Sequence, residues 1–322
     1  MGASGAGWSR PGRRGRFGPA TGVEWRSWGA GPGRRTYGLV RGPAAGAPLI
    51  VALHGAGGTG RGMVALTGLG TRGPAAGFAV AFPDGVRRAW GGGRAAAGRV
   101  EVDDAGFLTG LVDGLVAEGV ARPGALVLCG MSNGGFMVEY LARRHVLGAV
   151  AVLTVAATAT EVARRVTPVP VAPCAVVCVT GTADPIVPYG GGPVTLPGPL
   201  GRRVARRRTT GTVGRNVAAT AGAMTSDWAT ANGLGPTPVV ETFPAAPGDV
   251  GYTRFTWQAP GRRPVVHYRI DGGGHTWPGG PQYLPGRMIG PTARTLDATA
   301  VLLALAAGEL RTPGGSTGPA TG

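Results

Sequence analysis

Lysine is absent from the 322 residues, so all 32 positive charges are arginine, set against 16 acidic residues for a formal net charge of +16. A basic excess of that size is the usual footprint of a polyanion partner. Here it is confined to one residue type in a chain of 62 glycines and 28 prolines. That pattern reads as compositional bias, and no specific nucleic-acid partner is expected from it. Cysteine is scarce and odd in number: Cys129, Cys174 and Cys178, all in apolar runs. Cys174 and Cys178 would share one face of a strand roughly 13 Å apart at ~3.3 Å per residue. A disulfide needs Cα atoms within about 7 Å, so buried free thiols and a reducing compartment are expected. Three cysteines and four histidines show no metal-ligand spacing, and neither a metal nor another cofactor is expected.

Long apolar runs are missing too. Nothing reaches the roughly 20 residues that span a bilayer, so no membrane association is expected. The first 35 residues contain no apolar run of the ~7–15 residues a secretory signal needs. A cytoplasmic location is therefore expected for the sequence as given, and export if the true start differs. Oligomeric state is not legible.

What is present is a chain 43% hydrophobic, enough for a sizeable core. "APLIVALHGAGG", "GFAVAFPDG", "GALVLCGMS", "LGAVAVLTVAAT" and "APCAVVCVTGTAD" are apolar runs ending in small-residue turns, the form of buried strands. A shorter strand is expected at residues 36–41, at the sheet edge. "DDAGFLTGLVDGLVAEG" and "NGGFMVEYLARRH" between them have helical spacing. Alternation of the two predicts a mainly parallel, doubly wound α/β sheet flanked by helices. Residues 1–35 are expected to be a flexible tail, 36–310 one catalytic domain with an insertion at about 190–235, and 311–322 a second tail. Within the insertion, "VAATAGAMTSDWATANG" reads as a helix, followed by strands in "RFTWQAP" and "PVVHYRI" and a closing helix in "TARTLDATAVLLALAAGEL".

"GMSNGG" carries the chemistry. A serine between glycines, after a buried strand and before an amphipathic helix, has the form of a nucleophile elbow. Ser132 needs a base. His54 precedes it, His145 closes a helix, and His267 lies inside an apolar strand. His275, after a triple-glycine turn at a strand end, fits the order serine, acid, histidine. Among acids between them, Glu161 and Asp227 sit in helical patches, and Asp249 and Asp271 remain possible by order, though neither directly follows a long core strand. Asp184 follows one directly and can fix the imidazole tautomer. Asp103 and Asp104 read as helix-start caps. Two N–H donors are needed for an oxyanion. Asn133 supplies one from its backbone, and Ala56, with Gly57 next to it, supplies the other from "HGAGGTG". That loop lacks the Lys-Ser/Thr of a phosphate-binding P-loop.

With these residues placed, the chain resembles the polyhydroxybutyrate depolymerase and feruloyl esterase family of α/β-hydrolases. The resemblance runs from about residue 35 to 307, through "LHGAGG", "FPDG" with Trp90 downstream, "VDDAGF", "GMSNGG", "GTADPIVPYGGG", "SDWATANG" and "GGGHTWPGG", in family order. It implies Ser132, Asp184 and His275 as a catalytic triad and suggests that Trp277 and Trp90 line the substrate cleft. The expected activity is that of a serine esterase acting through an acyl-enzyme. The acyl group is left open between oligomeric 3-hydroxybutyrate, a hydroxycinnamate and a short aliphatic chain. A serine peptidase on the same fold is the alternative within chemistry. A non-catalytic hydrolase-like protein holding a polyanion on its arginine-rich segments is the alternative outside it.

Overall fold

The structure, a computed structural model, describes residues 22–29, 34–91, 102–195 and 217–311. Most of the tails expected at the two ends, and the "RRVARRR" run of the insertion, lie outside the described residues. Ten strands form one sheet in the order β1-β2-β4-β3-β5-β6-β7-β12-β11-β10. They are β1 (Glu24–Trp28), β2 (Arg35–Val40), β3 (Ala47–Leu53), β4 (Ala79–Pro83), β5 (Ala121–Met131), β6 (Ala151–Val155), β7 (Ala175–Gly181), β10 (Val239–Phe243), β11 (Tyr252–Trp257) and β12 (Val265–Ile270). The six central strands, β4 to β12 in that order, run parallel, while β1, β2, β11 and β10 pair antiparallel at the two sides. The short β8 (Gly192–Pro193) and β9 (Val217–Ala218) pair separately.

Because successive strand side chains point to opposite faces, each continuous apolar run feeds two cores. Leu49, Val51 and Leu53 of β3, Leu128 of β5, and Val176 and Cys178 of β7 pack on one face. That face is covered by α3 (Asp104–Ala117), α4 (Asn133–Arg143) and α6 (Ala221–Ala231), through Phe107, Leu111, Met137, Leu141 and Trp228. Ile50, Ala52, Val127, Cys129, Val177 and Val179 pack on the other. There α1 (Gly60–Thr67), α2 (Leu69–Ala75) and α8 (Ala298–Arg311) close over them with Met63, Leu66, Leu69, Leu302 and Ala306. The remaining helices, α5 (Glu161–Val166) and α7 (Gly286–Ile289), are short. The three cysteines are buried free thiols, and burial pushes the Cys174 and Cys178 thiols up to about 12.

Three expectations change. Residues 24–28, expected in a flexible tail, form the outer strand β1, so the strand expected at the edge is second from it. Its two tryptophans are three residues apart and so point to opposite faces: Trp28 packs edge-on against Phe107, with ring centroids 5.2 Å apart, and Arg61 lies 4.1 Å above the Trp25 ring. Strand β10 was not foreseen, because "VVETF" is flanked by prolines and too polar to read as core. Asp103 caps α3 by accepting from Gly106 N–H at 2.7 Å, but Asp104 does not cap. It is buried in an ion pair with Arg35 and accepts from Gly91 N–H at 2.6 Å.

Candidate active site

Parallel strands end on one edge of the sheet, and open α/β sheets bind ligands at that carboxyl edge. β3, β5, β7 and β12 deliver respectively the residue 54–58 loop, Ser132, Asp184 and the His275 loop to it. Ser132 joins β5 to α4 at φ 54°, ψ −119°, a conformation that a residue with a side chain adopts only under local constraint. Its N–H donates to Val155 C=O at 2.8 Å and its C=O accepts from Phe136 N–H at 2.9 Å. The turn is tight enough to require its glycines. A Cβ on Gly130 would lie 2.4 Å from Gly134 C=O, and one on Gly134 would lie 2.3 Å from Leu53 C=O.

His275 Nδ1 lies 2.7 Å from Asp184 Oδ2, so the buried imidazole donates from Nδ1 and leaves Nε2 free to take a proton. Asp184 Oδ1 meanwhile accepts from Ile186 N–H at 2.8 Å and Val187 N–H at 2.9 Å. The carboxylate is thus fixed by three donors. β12 is three strands from β5, roughly 14 Å at ~4.8 Å per strand. Its loop crosses the end of β7, where Ala183 N–H donates to Gly273 C=O at 3.0 Å. His275 N–H then donates to Ile289 C=O at 2.6 Å, and Tyr283 O–H donates to His275 C=O at 2.7 Å. Burial, reinforced by the Asp184 charge, pushes the Tyr283 phenol up and keeps it a neutral donor. One small apolar cluster joins the three parts: Phe136 one turn beyond Ser132, Ile186 and Val187 beside Asp184, and Ile289 against His275. Ser132 Oγ and His275 Nε2 share no hydrogen bond; such contacts in unliganded sites are often long and tighten with substrate.

The early loop closes the other side. A Cβ on Gly55 would come within 3.4 Å of Ser132 Cβ. Gly57 N–H is taken by Arg88 C=O at 2.7 Å and Gly58 N–H by Gly55 C=O at 2.9 Å. Ala56 N–H, like Asn133 N–H at the helix start, has no acceptor in the chain among the described residues. Of the two loop donors considered, Ala56 is therefore the one available.

The other titratable candidates have structural partners. His54 is buried, donates from Nδ1 to Gly55 C=O at 2.8 Å and accepts at Nε2 from Gly85 N–H at 3.0 Å; burial lowers its pKa and favours this neutral form. His145 is exposed just past the end of α4. Asp227 pairs with Arg143 and Arg164, and Asp271 with Arg269. Asp249 accepts from Val250 and Arg294 N–H, and Glu161 lies 3.8 Å from Arg164.

His267 is buried against Thr180 Oγ1 at 2.8 Å, stacked between Tyr189 and Phe255. Burial, with help from the Arg269 charge, lowers its pKa from 6.5 to about 4. Between those values the unfolded chain holds the extra proton, so stability falls as pH drops through that window. The loss should approach roughly 3 kcal/mol. Urea unfolding from pH 7 to 4 should show it, with a flatter profile for His267→Asn; equal profiles would contradict this origin.

The expectation that Trp277 and Trp90 line the cleft is corrected. Both are buried, at 1% and 2% exposure. The Trp277 indole N–H donates to Thr299 Oγ1 at 3.0 Å, which in turn donates to Thr67 C=O at 2.7 Å. It ties the His275 loop to α8 and α1. Sequence reasoning missed the Tyr283 hydroxyl and the Asn133 side chain, whose amide brackets the Trp90 backbone; no motif flagged either.

No family model matches the sequence. Among solved structures, the acetyl xylan esterase from Aspergillus awamori superposes with a TM-score of 0.51 over 79% of this chain and 94% of its own, at 15% identity. That likeness speaks for the α/β-hydrolase fold alone. In sequence, a relative from Nocardia uniformis subsp. tsuyamanensis named "Putative esterase NocK" is 32% identical over 276 residues, 82% of this chain and 76% of the relative. A match of that identity and extent, on a sheet whose carboxyl edge gathers Ser132, Asp184 and His275, places the chain in the esterase family to which that Nocardia protein belongs.

Proposed function

We propose that this protein is a serine esterase in which Ser132 is the nucleophile, His275 the general base and acid, and Asp184 the group that orients and stabilises the imidazolium. The observation that carries this reading is the strained Ser132 turn at the same sheet edge as a His275–Asp184 pair whose Nε2 is left free. His275 Nε2 takes the Ser132 proton as Oγ bonds to the ester carbonyl carbon. The carbonyl oxygen becomes an anion held by the N–H groups of Asn133 and Ala56. The C–O bond to the alcohol then breaks, the alcohol leaves with the proton from His275, and water hydrolyses the acyl-enzyme by the same steps.

The finer reading, an activity of the polyhydroxybutyrate depolymerase or feruloyl esterase kind, rests on the motif resemblance. p-Nitrophenyl acetate and butyrate are the first substrates to offer, beside matched anilides, then feruloyl and 3-hydroxybutyrate esters. Ester turnover exceeding anilide turnover is expected. Preferential anilide cleavage would point to a peptidase, and inactivity across the panel would contradict the reading.

A further inference from the structure

We propose that residues 85–90 form the brace that sets the oxyanion hole, with Trp90 and the side chain of Asn133 as positioning residues coupling its two halves. The inference rests on the esterase reading above. The two donors belong to separate elements, Ala56 to the loop after β3 and Asn133 to the head of α4. The segment after β4 bonds to both. Toward the loop, Arg88 C=O accepts from Gly57 N–H at 2.7 Å and the Arg88 Nε–H donates to Gly58 C=O at 3.3 Å. Gly85 N–H donates to His54 Nε2 at 3.0 Å, and the Trp90 indole N–H donates to His54 C=O at 2.9 Å. The loop residues on either side of Ala56 N–H are thereby held while that donor stays free.

Toward the helix, Asn133 Oδ1 accepts from Trp90 N–H at 2.6 Å and Asn133 Nδ2 donates to Trp90 C=O at 3.0 Å. A side-chain amide here reproduces a two-bond backbone pairing. It anchors the residue whose own N–H faces the developing charge. Trp90 thus joins both halves, by its backbone to Asn133 and by its indole to His54. The ring itself lies in the core beside His54, centroids 5.1 Å apart.

The backbone of this segment is strained where the brace needs it. Arg87 and Arg88 are consecutive non-glycine residues at φ 51° and 61°, an arrangement that persists only where the surroundings over-determine it. That double turn brings Arg88 C=O to Gly57 within two residues of Trp90 facing Asn133. A tryptophan that merely filled the core would not need the strained approach.

The mechanism predicts a particular kinetic pattern. Donors aimed at the oxyanion act on the transition state and not on ground-state binding, and small misplacements can cost about 10²-fold. Trp90→Phe keeps an aromatic side chain but loses the indole N–H together with the five-membered ring, so its melting curve is read beside its kinetics; Asn133→Ala keeps the backbone donor and loses the bracket. Each should lower kcat on p-nitrophenyl butyrate by about 10²-fold with KM little changed. Affinity for an alkyl boronic acid, which forms a tetrahedral serine adduct, should fall in parallel. Both cuts sever one connection, so the double variant should be no worse than the poorer single variant. Unchanged kcat, a loss confined to KM, or multiplying losses would each overturn the brace. Thermal melts establish folding, and if Trp90→Phe does not fold, Asn133→Ala and the boronic acid carry the test alone. Ser132→Ala is assayed alongside: activity surviving it would remove the esterase reading, whereas unlinked effects at 90 and 133 in a Ser132-dependent enzyme would remove only the brace.

Discussion

Ser132→Ala is expected to lower kcat/KM for p-nitrophenyl esters by on the order of 10⁴-fold or more, with circular dichroism and thermal unfolding little changed. Only the hydroxyl is lost. The N–H of Ser132 keeps its bond to Val155 and its C=O keeps the bond from Phe136, so the elbow retains its shape. The side chain is partly accessible and makes no hydrogen bond among the described residues, so removing it opens no unsatisfied buried group. A catalytic group whose deletion costs nothing in stability is the pattern expected where structure is held for chemistry. Ester hydrolysis by purified wild type and variant, compared with their melting curves, measures both quantities. Equal activity in the two would remove Ser132 from the mechanism.

Asp184→Asn should reduce kcat by about 10⁴-fold, but by a different route. The carboxylate accepts from His275 Nδ1 on one oxygen and from the N–H groups of Ile186 and Val187 on the other. An amide has one oxygen and one NH₂, and it cannot serve both sides. If the oxygen keeps the two backbone donors, NH₂ faces His275 Nδ1, which must become the acceptor. The ring proton then moves to Nε2, where it blocks proton removal from Ser132. If the amide turns round, its NH₂ opposes two backbone donors, and leaving buried donors unmet costs about 1–3 kcal/mol. Chemical denaturation beside the kinetics separates these: lost activity at near-wild-type stability is expected, because the first arrangement leaves no buried donor unmet, whereas lowered stability with the ring tautomer kept would mark the second. A variant within tenfold of wild-type kcat would contradict the role given to Asp184.

The sheet was legible because its strands are buried on both faces. Continuous runs such as "PLIVAL" and "AVVCVTG" need no face assignment, and the structure divides their residues alternately between two cores. Strands exposed on one side were harder. Trp25 and Trp28 of β1 are three residues apart, separated by arginine and serine, with no period-two pattern, and β10 keeps Val239 and Val240 exposed. Neither run carries enough apolar signal to stand apart from a loop.

The candidate site followed from chain order and from the turn at each strand end. His54, His267, Asp227 and Asp271 were set aside on sequence position, and each has a structural partner. What order could not supply is the direction in which a side chain points. The family resemblance suggests that the two tryptophans nearest the motifs face substrate. Here Trp90 and Trp277 spend their indole N–H groups inward. Asp104 shows the same gap: the acid at a helix start that reads as a cap faces Arg35, 69 positions earlier, a pairing that no local pattern encodes.

The most direct test of the central claim is to trap the covalent intermediate. Wild-type protein quenched in acid during turnover of p-nitrophenyl butyrate, digested and mapped by mass spectrometry, should carry one butyryl group on the peptide that contains Ser132. Ser132→Ala treated in the same way should carry none. A butyryl group on another residue in both proteins, or ester turnover with no acylated peptide at any quench time, would contradict an acyl-enzyme at Ser132.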